Sequence, residues 1–220
     1  MKFHTCSLHT CMHYGFFYTY KTLKSKVKHV LKRNNILLGL ENTLQSLNLA
    51  NNELRTVPVA PLRTLRLISQ LDLSNNQIKF LPDNAFVTLR LKTLKLSGND
   101  LTFTDHCFRG LETSLKNLNL KSCQLKAIPS PVRTLQGLAF LDVAQNKIRD
   151  LESGIFEAMD SITALNLERN VIQSLDPRVF DGVTDTLSSL SLLNNMLTEY
   201  PLLALRTLPK LRVSNRPLII

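Results

Sequence analysis

The chain has 220 residues, of which 44% are hydrophobic and 20% charged, and its formal net charge is +10 at pH 7. Residues 1–40 hold seven basic residues and no acidic one, so the other 180 residues carry a net charge of only +3. Because basic and acidic residues are nearly equal in number in residues 41–220, this part of the chain is not expected to bind a polyanion. We predict no nucleic-acid partner. No apolar run approaches the roughly 20 residues of a membrane-spanning helix. We therefore expect membrane contact only through flanking segments that this sequence lacks.

Residues 1–35 are predicted to be a basic, non-repeat and poorly ordered segment. The stretch from Lys21 to Arg33 has apolar residues at helical spacing, so a membrane-surface or organelle-targeting helix is an alternative. A metal site is a further alternative, because histidines and cysteines are close together: His4, Cys6, His9, Cys11 and His13. The paired CxxC spacing of structural zinc sites is missing, and we predict no metal.

From residue 36 to residue 210 the sequence repeats one pattern about seven times. It is clearest in Leu71–Leu89, where two leucines alternate as in a short strand and are followed by an asparagine and a more loosely spaced apolar return. The asparagine position recurs every 23 to 25 residues, at Asn52, Asn76, Asn99, Cys123, Asn146, Asn170 and Asn195. A fixed period of this length indicates a solenoid of stacked coils.

The sequence predicts an incomplete array at both ends. Residues 37–44 match the repeat tail at 108–115, but no repeat head precedes them. Residues 211–220 begin an eighth repeat in which Ser214 and Arg216 replace expected apolar residues. Because solenoids need polar caps, we expect a broken, uncapped repeat at 211–220. The chain is interpreted as a fragment, a truncated isoform or an imperfect gene model.

A single coil is not expected to fold alone. Ordering its ~24 residues costs about 1–2 kcal/mol each, whereas about seven buried apolar side chains stabilise it by roughly 1.5–3 kcal/mol each. Stacked coils share one core and pair their strands into a parallel sheet. The asparagines are expected to form a structural ladder along the turns, with Cys123 as a buried thiol in the same turn. The return side is expected to hold a packed column of Phe86, Phe108, Phe156 and Phe180.

Strand residues between the core leucines point away from the core. Most of them are small or polar, and Phe140 is the exception, which we expect to be an exposed aromatic. Exposed aromatic and arginine side chains are favoured anchors of interfaces. We predict a partner-binding patch here, with an isolated exposed ring as the alternative. Its candidate residues are Asn119, Lys121, Phe140, Asp142, Asn166, Glu168 and Arg169.

The repeated unit resembles the typical leucine-rich repeat class, LxxLxLxxNxLxxLPxxxFxxLxx, which Leu71–Leu89 meets almost in full. Its 24-residue, Phe-containing version is similar to extracellular members such as chaoptin-like, Slit-like and Toll-like ectodomains. The insertions Gly110–Leu115 and Gly182–Leu187 resemble those of chaoptin-type invertebrate cell-surface proteins. The resemblance implies an α/β fold, a right-handed horseshoe solenoid with a concave parallel sheet and an irregular or 3-10 convex side. It also implies adhesion, receptor recognition or matrix organisation.

The predicted function is therefore a non-catalytic protein-binding module that holds a protein partner on its concave face. The parent protein is expected at the cell surface or outside the cell. The alternative is an intracellular scaffold or signalling adaptor, which the lack of a clear signal peptide favours. The sequence has no GxSxG, P-loop or HExxH motif and no repeated His/Asp/Glu cluster in the array. We predict neither an enzyme nor a cofactor.

Overall fold

The computed structural model describes residues 40–211 of the chain. The predictions made for residues 1–35 and for residues 212–220 of the broken eighth repeat lie outside this range. All statements below concern the described residues.

Seven strands of three residues form one parallel sheet in chain order. Each strand begins one coil, and the coils are numbered 1 to 7 in the order of these strands: β1 (Ser46–Asn48), β2 (Gln70–Asp72), β4 (Thr93–Lys95), β6 (Asn117–Asn119), β7 (Phe140–Asp142), β8 (Ala164–Asn166) and β9 (Ser189–Ser191). The central leucines of neighbouring strands are paired in register, in one row: Leu47, Leu71, Leu94, Leu118, Leu141, Leu165 and Leu190. This row confirms the predicted α/β-class solenoid with its parallel sheet.

The return segments contain little regular structure. Two short α-helices, α1 (Val59–Leu62) and α2 (Leu202–Leu205), and a 3-10 helix (Ser130–Thr134) lie on coils 1, 7 and 4. Each of them follows a proline, whose fixed φ suits the start of a helix. On coils 2 and 3 the returns form a two-stranded parallel sheet, β3 (Phe80–Leu81) with β5 (Thr102–Phe103). The convex side is thus mostly irregular, as its sparse apolar spacing predicts.

The asparagine side chains connect consecutive coils through buried hydrogen bonds. The Asn76 side chain accepts the Leu54 N–H at 3.0 Å and donates to three backbone carbonyls, including Leu49 O of the preceding coil at 2.9 Å. Asn99, Asn146 and Asn170 bond in the same way. On the first coil, Asn52 donates to Leu49 O and Ala50 O, but its Oδ1 has no partner among residues 40–211.

The residue before each ladder position adopts the left-handed backbone conformation, with φ between 51° and 68°. This turn lets its N–H donate to a carbonyl of the next coil, as Asn75 N–H does to Ser97 O at 2.7 Å. Residues that tolerate this conformation occupy most of the column, which consists of Asn51, Asn75, Gly98, Ser122, Gln145, Arg169 and Asn194. Arg169 is its one charged member.

The core is a continuous layer of leucine, isoleucine and valine side chains with phenylalanines on the return side. Phe86, Phe108, Phe156 and Phe180 are fully buried. The Phe156 and Phe180 rings stack with centroids 6.2 Å apart, whereas coil 4 interrupts the column with Val132. Beside this column Gly182 has φ +92°, and a Cβ there would lie 2.5 Å from Phe156 O. The return segments of coils 5 and 6 can approach this closely because position 182 has no side chain.

Candidate functional site

The outward side of the seven-stranded sheet, called here the sheet face, carries all the predicted partner-binding residues. They lie on coils 4, 5 and 6, where the register pairs Asn119 with Asp142 and Asp142 with Asn166. The fold therefore brings the seven candidates together on adjacent coils. Elsewhere on the sheet face the only charged residues, Asp72 and Lys95, form an ion pair with each other at 3.7 Å.

The residue after the central leucine stabilises the turn that follows the strand. On coil 5 an Asp142 carboxylate oxygen accepts the Ala144 N–H at 3.0 Å. Asn119 and Asn166 accept the N–H groups of Lys121 and Glu168 in the same geometry. This is an Asx-turn, in which the side chain caps the backbone two residues later. One oxygen of each of these candidates is therefore committed to the fold, which the sequence prediction did not anticipate.

Asp142 is a buried member of the sheet face, with a relative exposure of 8%. Its second oxygen accepts a hydrogen bond from Asn119 Nδ2 at 3.3 Å. Burial raises the pKa of Asp142 above its ordinary value, while the Ala144 N–H and the Lys121 charge act in the opposite direction. Both carboxylate oxygens of Asp142 thus bond to neighbouring groups of the sheet face, and the residue presents no free carboxylate to a partner.

Phe140 is half-buried, whereas an exposed ring was expected. Its strand is paired on both sides, with Asn117 on β6 and Ala164 on β8 in register. Side chains of adjacent strands are only about 5 Å apart, so each covers one side of the ring. Phe140 therefore presents part of its ring to solvent from a site that fixes its orientation.

The exposed charges of the candidate site come from the turns after the strands. Arg169 Nε lies 3.2 Å from Glu168 Oε1, and the side chains are 59% and 32% exposed. Arg169 has φ 55°, a conformation that is unfavourable for arginine. Lys121 forms no ion pair with any of residues 40–211. Lys121 and Arg169 are therefore the cations that a partner can reach.

The two described cysteines are buried thiols. Burial raises the pKa of Cys107 to about 12 and that of Cys123 to about 11, so neither is suited to act as a nucleophile. Cys123 Sγ lies 3.3 Å from Leu96 O, which makes the thiol a weak substitute for an asparagine amide. Residues 40–211 contain no cluster of histidine, cysteine or acidic side chains arranged to hold a metal ion.

Cys123→Asn is expected to raise the free energy of unfolding by about 1 kcal/mol. An asparagine at this position would offer an Oδ1 to the Leu101 N–H, in the way that Asn99 Oδ1 accepts the Ile78 N–H at 3.0 Å. Its amide would donate to the carbonyls that Cys123 Sγ now contacts. Urea denaturation followed by circular dichroism measures the change, with Cys107→Ser as the control outside the ladder. A lower free energy of unfolding in Cys123→Asn would show that the turn of coil 4 accommodates a thiol better than an asparagine side chain.

Within residues 40–211, no helix combines the length and the apolar character that crossing a bilayer requires.

Comparison with known proteins agrees with this geometry. The family described as leucine rich repeat matches residues 42–101, 113–172 and 136–197. Chaoptin of Drosophila melanogaster is 31% identical over 195 residues, which cover 77% of this chain and 15% of chaoptin. Leucine-rich repeat-containing G-protein coupled receptor 5 of Rattus norvegicus is 35% identical over 132 residues, covering 60% of this chain and 14% of the receptor.

A solved structure shares both the fold and part of the sequence. The crystal structure of the TLR13–ssRNA13 complex superimposes with a TM-score of 0.73 and 33% identity, covering 80% of this chain and 25% of the other. The chain thus spans only a small part of the length of these relatives. Its fold is typical of non-catalytic interaction modules, and its relatives include receptor and adhesion-type proteins. With its family matches and its seven in-register coils, the chain belongs to the leucine-rich repeat family, and its relatives are consistent with the extracellular type.

Proposed function

We propose that this chain is a protein-binding module of a cell-surface or secreted protein, and that it binds its partner on the sheet face of coils 4–6. One observation carries the proposal. Among the described coils, only these combine an aromatic ring, Phe140, with the half-buried Lys121 and the exposed Arg169. The rest of the sheet face is small, polar or paired within itself, apart from the exposed Leu193 of coil 7. Aromatic and arginine side chains in such a setting are the usual anchors of protein interfaces.

The chemistry of the patch favours a protein over a nucleic acid as partner. The sheet face as a whole carries three acidic residues, Asp72, Asp142 and Glu168, beside its three cations. A surface that binds phosphates through ion pairs needs an excess of cations, which this face lacks. The partner is expected to place an apolar side chain against Phe140 and an acidic side chain towards Lys121 or Arg169.

Arg169→Asn is expected to weaken partner binding by about 10-fold or more, a loss of roughly 1.4 kcal/mol, without loss of stability. Asparagine tolerates the left-handed conformation better than arginine does, so the free energy of unfolding should stay equal or rise by up to about 1 kcal/mol. The measurement is a binding screen of the full chain, displayed as a multimer, against an array of purified secreted proteins and ectodomains. Each hit is then titrated with wild type and Arg169→Asn.

Two controls make this experiment specific. Phe140→Ala should weaken the same hits, whereas Gln70→Ala, on the sheet face of coil 2, should leave them unchanged. A single-stranded RNA oligonucleotide in the same assay should show no binding that depends on Arg169. If all three variants bound the hits with the affinity of wild type, the proposed site would be contradicted. RNA binding that is lost in Arg169→Asn would contradict the proposed partner class.

A further inference from the structure

A second surface runs beside the sheet, along the segments that lead from each return to the next strand. We call this surface the approach flank; it consists of residues 63–69, 87–92, 109–116, 133–139, 157–163 and 181–188 of coils 1 to 6. Equivalent residues are neighbours on consecutive coils, as Lys116 N–H donates to Lys92 O at 2.9 Å and Ala139 N–H to Lys116 O at 2.9 Å. Charges on the approach flank are therefore stacked along the solenoid.

The signs of these charges change abruptly between coils 4 and 5. The first three coils hold six exposed basic residues, namely Arg63, Arg66, Arg90, Lys92, Arg109 and Lys116. Coil 4 adds Arg133. The one acidic residue on the flank of coils 1–4 is Glu112 of coil 3, whose carboxylate accepts the Gly110 N–H at 2.8 Å. Coils 5 and 6 hold four acids and no base on this flank, namely Glu157, Asp160, Asp181 and Asp185.

Most of these charges have no ionic partner within residues 40–211. Arg133 pairs with Glu152, and Asp181 pairs with Arg178 at 3.0 Å. The six basic residues of coils 1–3 and the acids Glu157, Asp160 and Asp185 form no ion pair with any described residue. Like charges on neighbouring strands or coils destabilise each other, so folding alone does not account for this segregation. A partner that presents acidic residues to coils 1 and 2 and basic residues to coils 5 and 6 does account for it.

We propose that a second copy of this chain is that partner, docked side by side and antiparallel along the approach flank. A two-fold axis between coils 3 and 4 places coil 1 opposite coil 6 and coil 2 opposite coil 5. Arg63 and Arg66 then face Asp181 and Asp185 of the second copy, and each contact occurs twice by symmetry. The basic residues of the last coil, Arg206 and Lys210, lie beyond the paired coils.

Charge complementarity selects a second copy over a polyanion. A sulfated or phosphorylated chain that followed the basic coils would meet the four acids as it continued along the flank. A second copy matches the basic coils 1 and 2 with the acidic coils 6 and 5, while coils 3 and 4, which face each other at the axis, are both basic. Opposed charged patches favour one partner and one orientation. Because the flank is separate from the sheet face, the dimer leaves both sheet faces open for the partner considered above.

The full chain is therefore expected to dimerise in a salt-dependent way. Sedimentation equilibrium at about 0.05 M and about 0.5 M NaCl should show the dimer weakened at least 10-fold at the higher salt, where charges are screened within about 4 Å. Arg90→Glu/Lys92→Glu and Glu157→Lys/Asp160→Lys should each be monomeric at low salt. The matched controls are Lys126→Glu/Lys147→Glu and Glu53→Lys/Asp150→Lys, which make the same charge changes away from the flank and should dimerise like wild type.

Mixing the two flank variants gives the decisive result. The first variant has an acidic coil 2 and the second a basic coil 5, and their other flank charges are unchanged. In the mixture these two coils face each other, and so do the unchanged coils 5 and 2, so a heterodimer should form although neither variant forms a homodimer. A monomeric wild type at low salt, or a mixture that stays monomeric, would overturn the proposal. If the mixture is monomeric and wild type binds a heparin oligosaccharide that Arg90→Glu/Lys92→Glu does not bind, the flank is a polyanion site instead.

Discussion

Asn146→Ala is expected to lower the free energy of unfolding by about 3–5 kcal/mol. The Asn146 Oδ1 accepts the N–H groups of Cys123 and Leu125 at 2.8 and 3.0 Å. Its Nδ2 donates to three backbone carbonyls at 2.8 to 3.1 Å. Alanine would leave the N–H groups of Cys123 and Leu125 and the Leu120 carbonyl without partners in a buried turn. Each such group costs about 1–3 kcal/mol unless water reaches it.

Asn52→Ala is the matched control for this effect. Asn52 has the same place in its coil, but within the described part of the chain it makes only two hydrogen bonds, both in its own turn, and its Oδ1 has no partner. Its replacement should cost less than about 2 kcal/mol. Urea denaturation of both variants measures the difference. Equal losses at the two positions would mean that the ladder acts within each turn and contributes nothing between coils.

Phe180→Ala is expected to cost about 3–5 kcal/mol, because it removes a fully buried ring. The ring stacks on Phe156 at 6.2 Å, which adds a pair interaction of about 0.5–1.5 kcal/mol between coils 5 and 6. In a solenoid each coil contacts only its neighbours, so the loss should be local. Hydrogen exchange should show amide protection falling in coils 5–7 while coils 2 and 3 retain theirs.

The exposed ring of Phe80 provides the comparison for this variant. Phe80 lies on the return side with 46% of its surface exposed, so Phe80→Ala should change the free energy of unfolding by less than about 1 kcal/mol. A uniform loss of protection in all seven coils of Phe180→Ala would show that the array unfolds as one unit. The nearest-neighbour description would then be wrong for this chain.

The fold was predictable because one period determines most of it. Leu71, Leu94 and Leu118 occupy equivalent positions in the repeat, and stacking alone brings them into one row. The burial of the phenylalanines on the return side follows from the same period. The small sheet of β3 and β5 was not predicted, because it depends on how two irregular returns approach each other.

The candidate site was predicted less completely, because the repeat shows which side chains point outwards but not what they contact. The half-buried state of Phe140 depends on Asn117 and Ala164, which are more than 20 residues away in sequence. The Asx-turns could have been predicted from the sequence, since asparagine or aspartate recurs after the central leucine in five of seven coils. The separation of basic and acidic residues on the approach flank was not predicted, because the net charge adds the basic coils 1–4 and the acidic coils 5 and 6 together.

The brevity of the strands limits what the sheet can hold by itself. Seven strands spaced by about 4.8 Å, each three residues long, give a platform of roughly 29 by 10 Å. That is near 300 Å² in projection, whereas a stable complex usually covers about 800 Å² on each partner. A partner that binds tightly must therefore extend beyond the strands and also contact the turns that follow them, where Glu168 and Arg169 lie. Ligands that touch only the strands are expected to dissociate quickly.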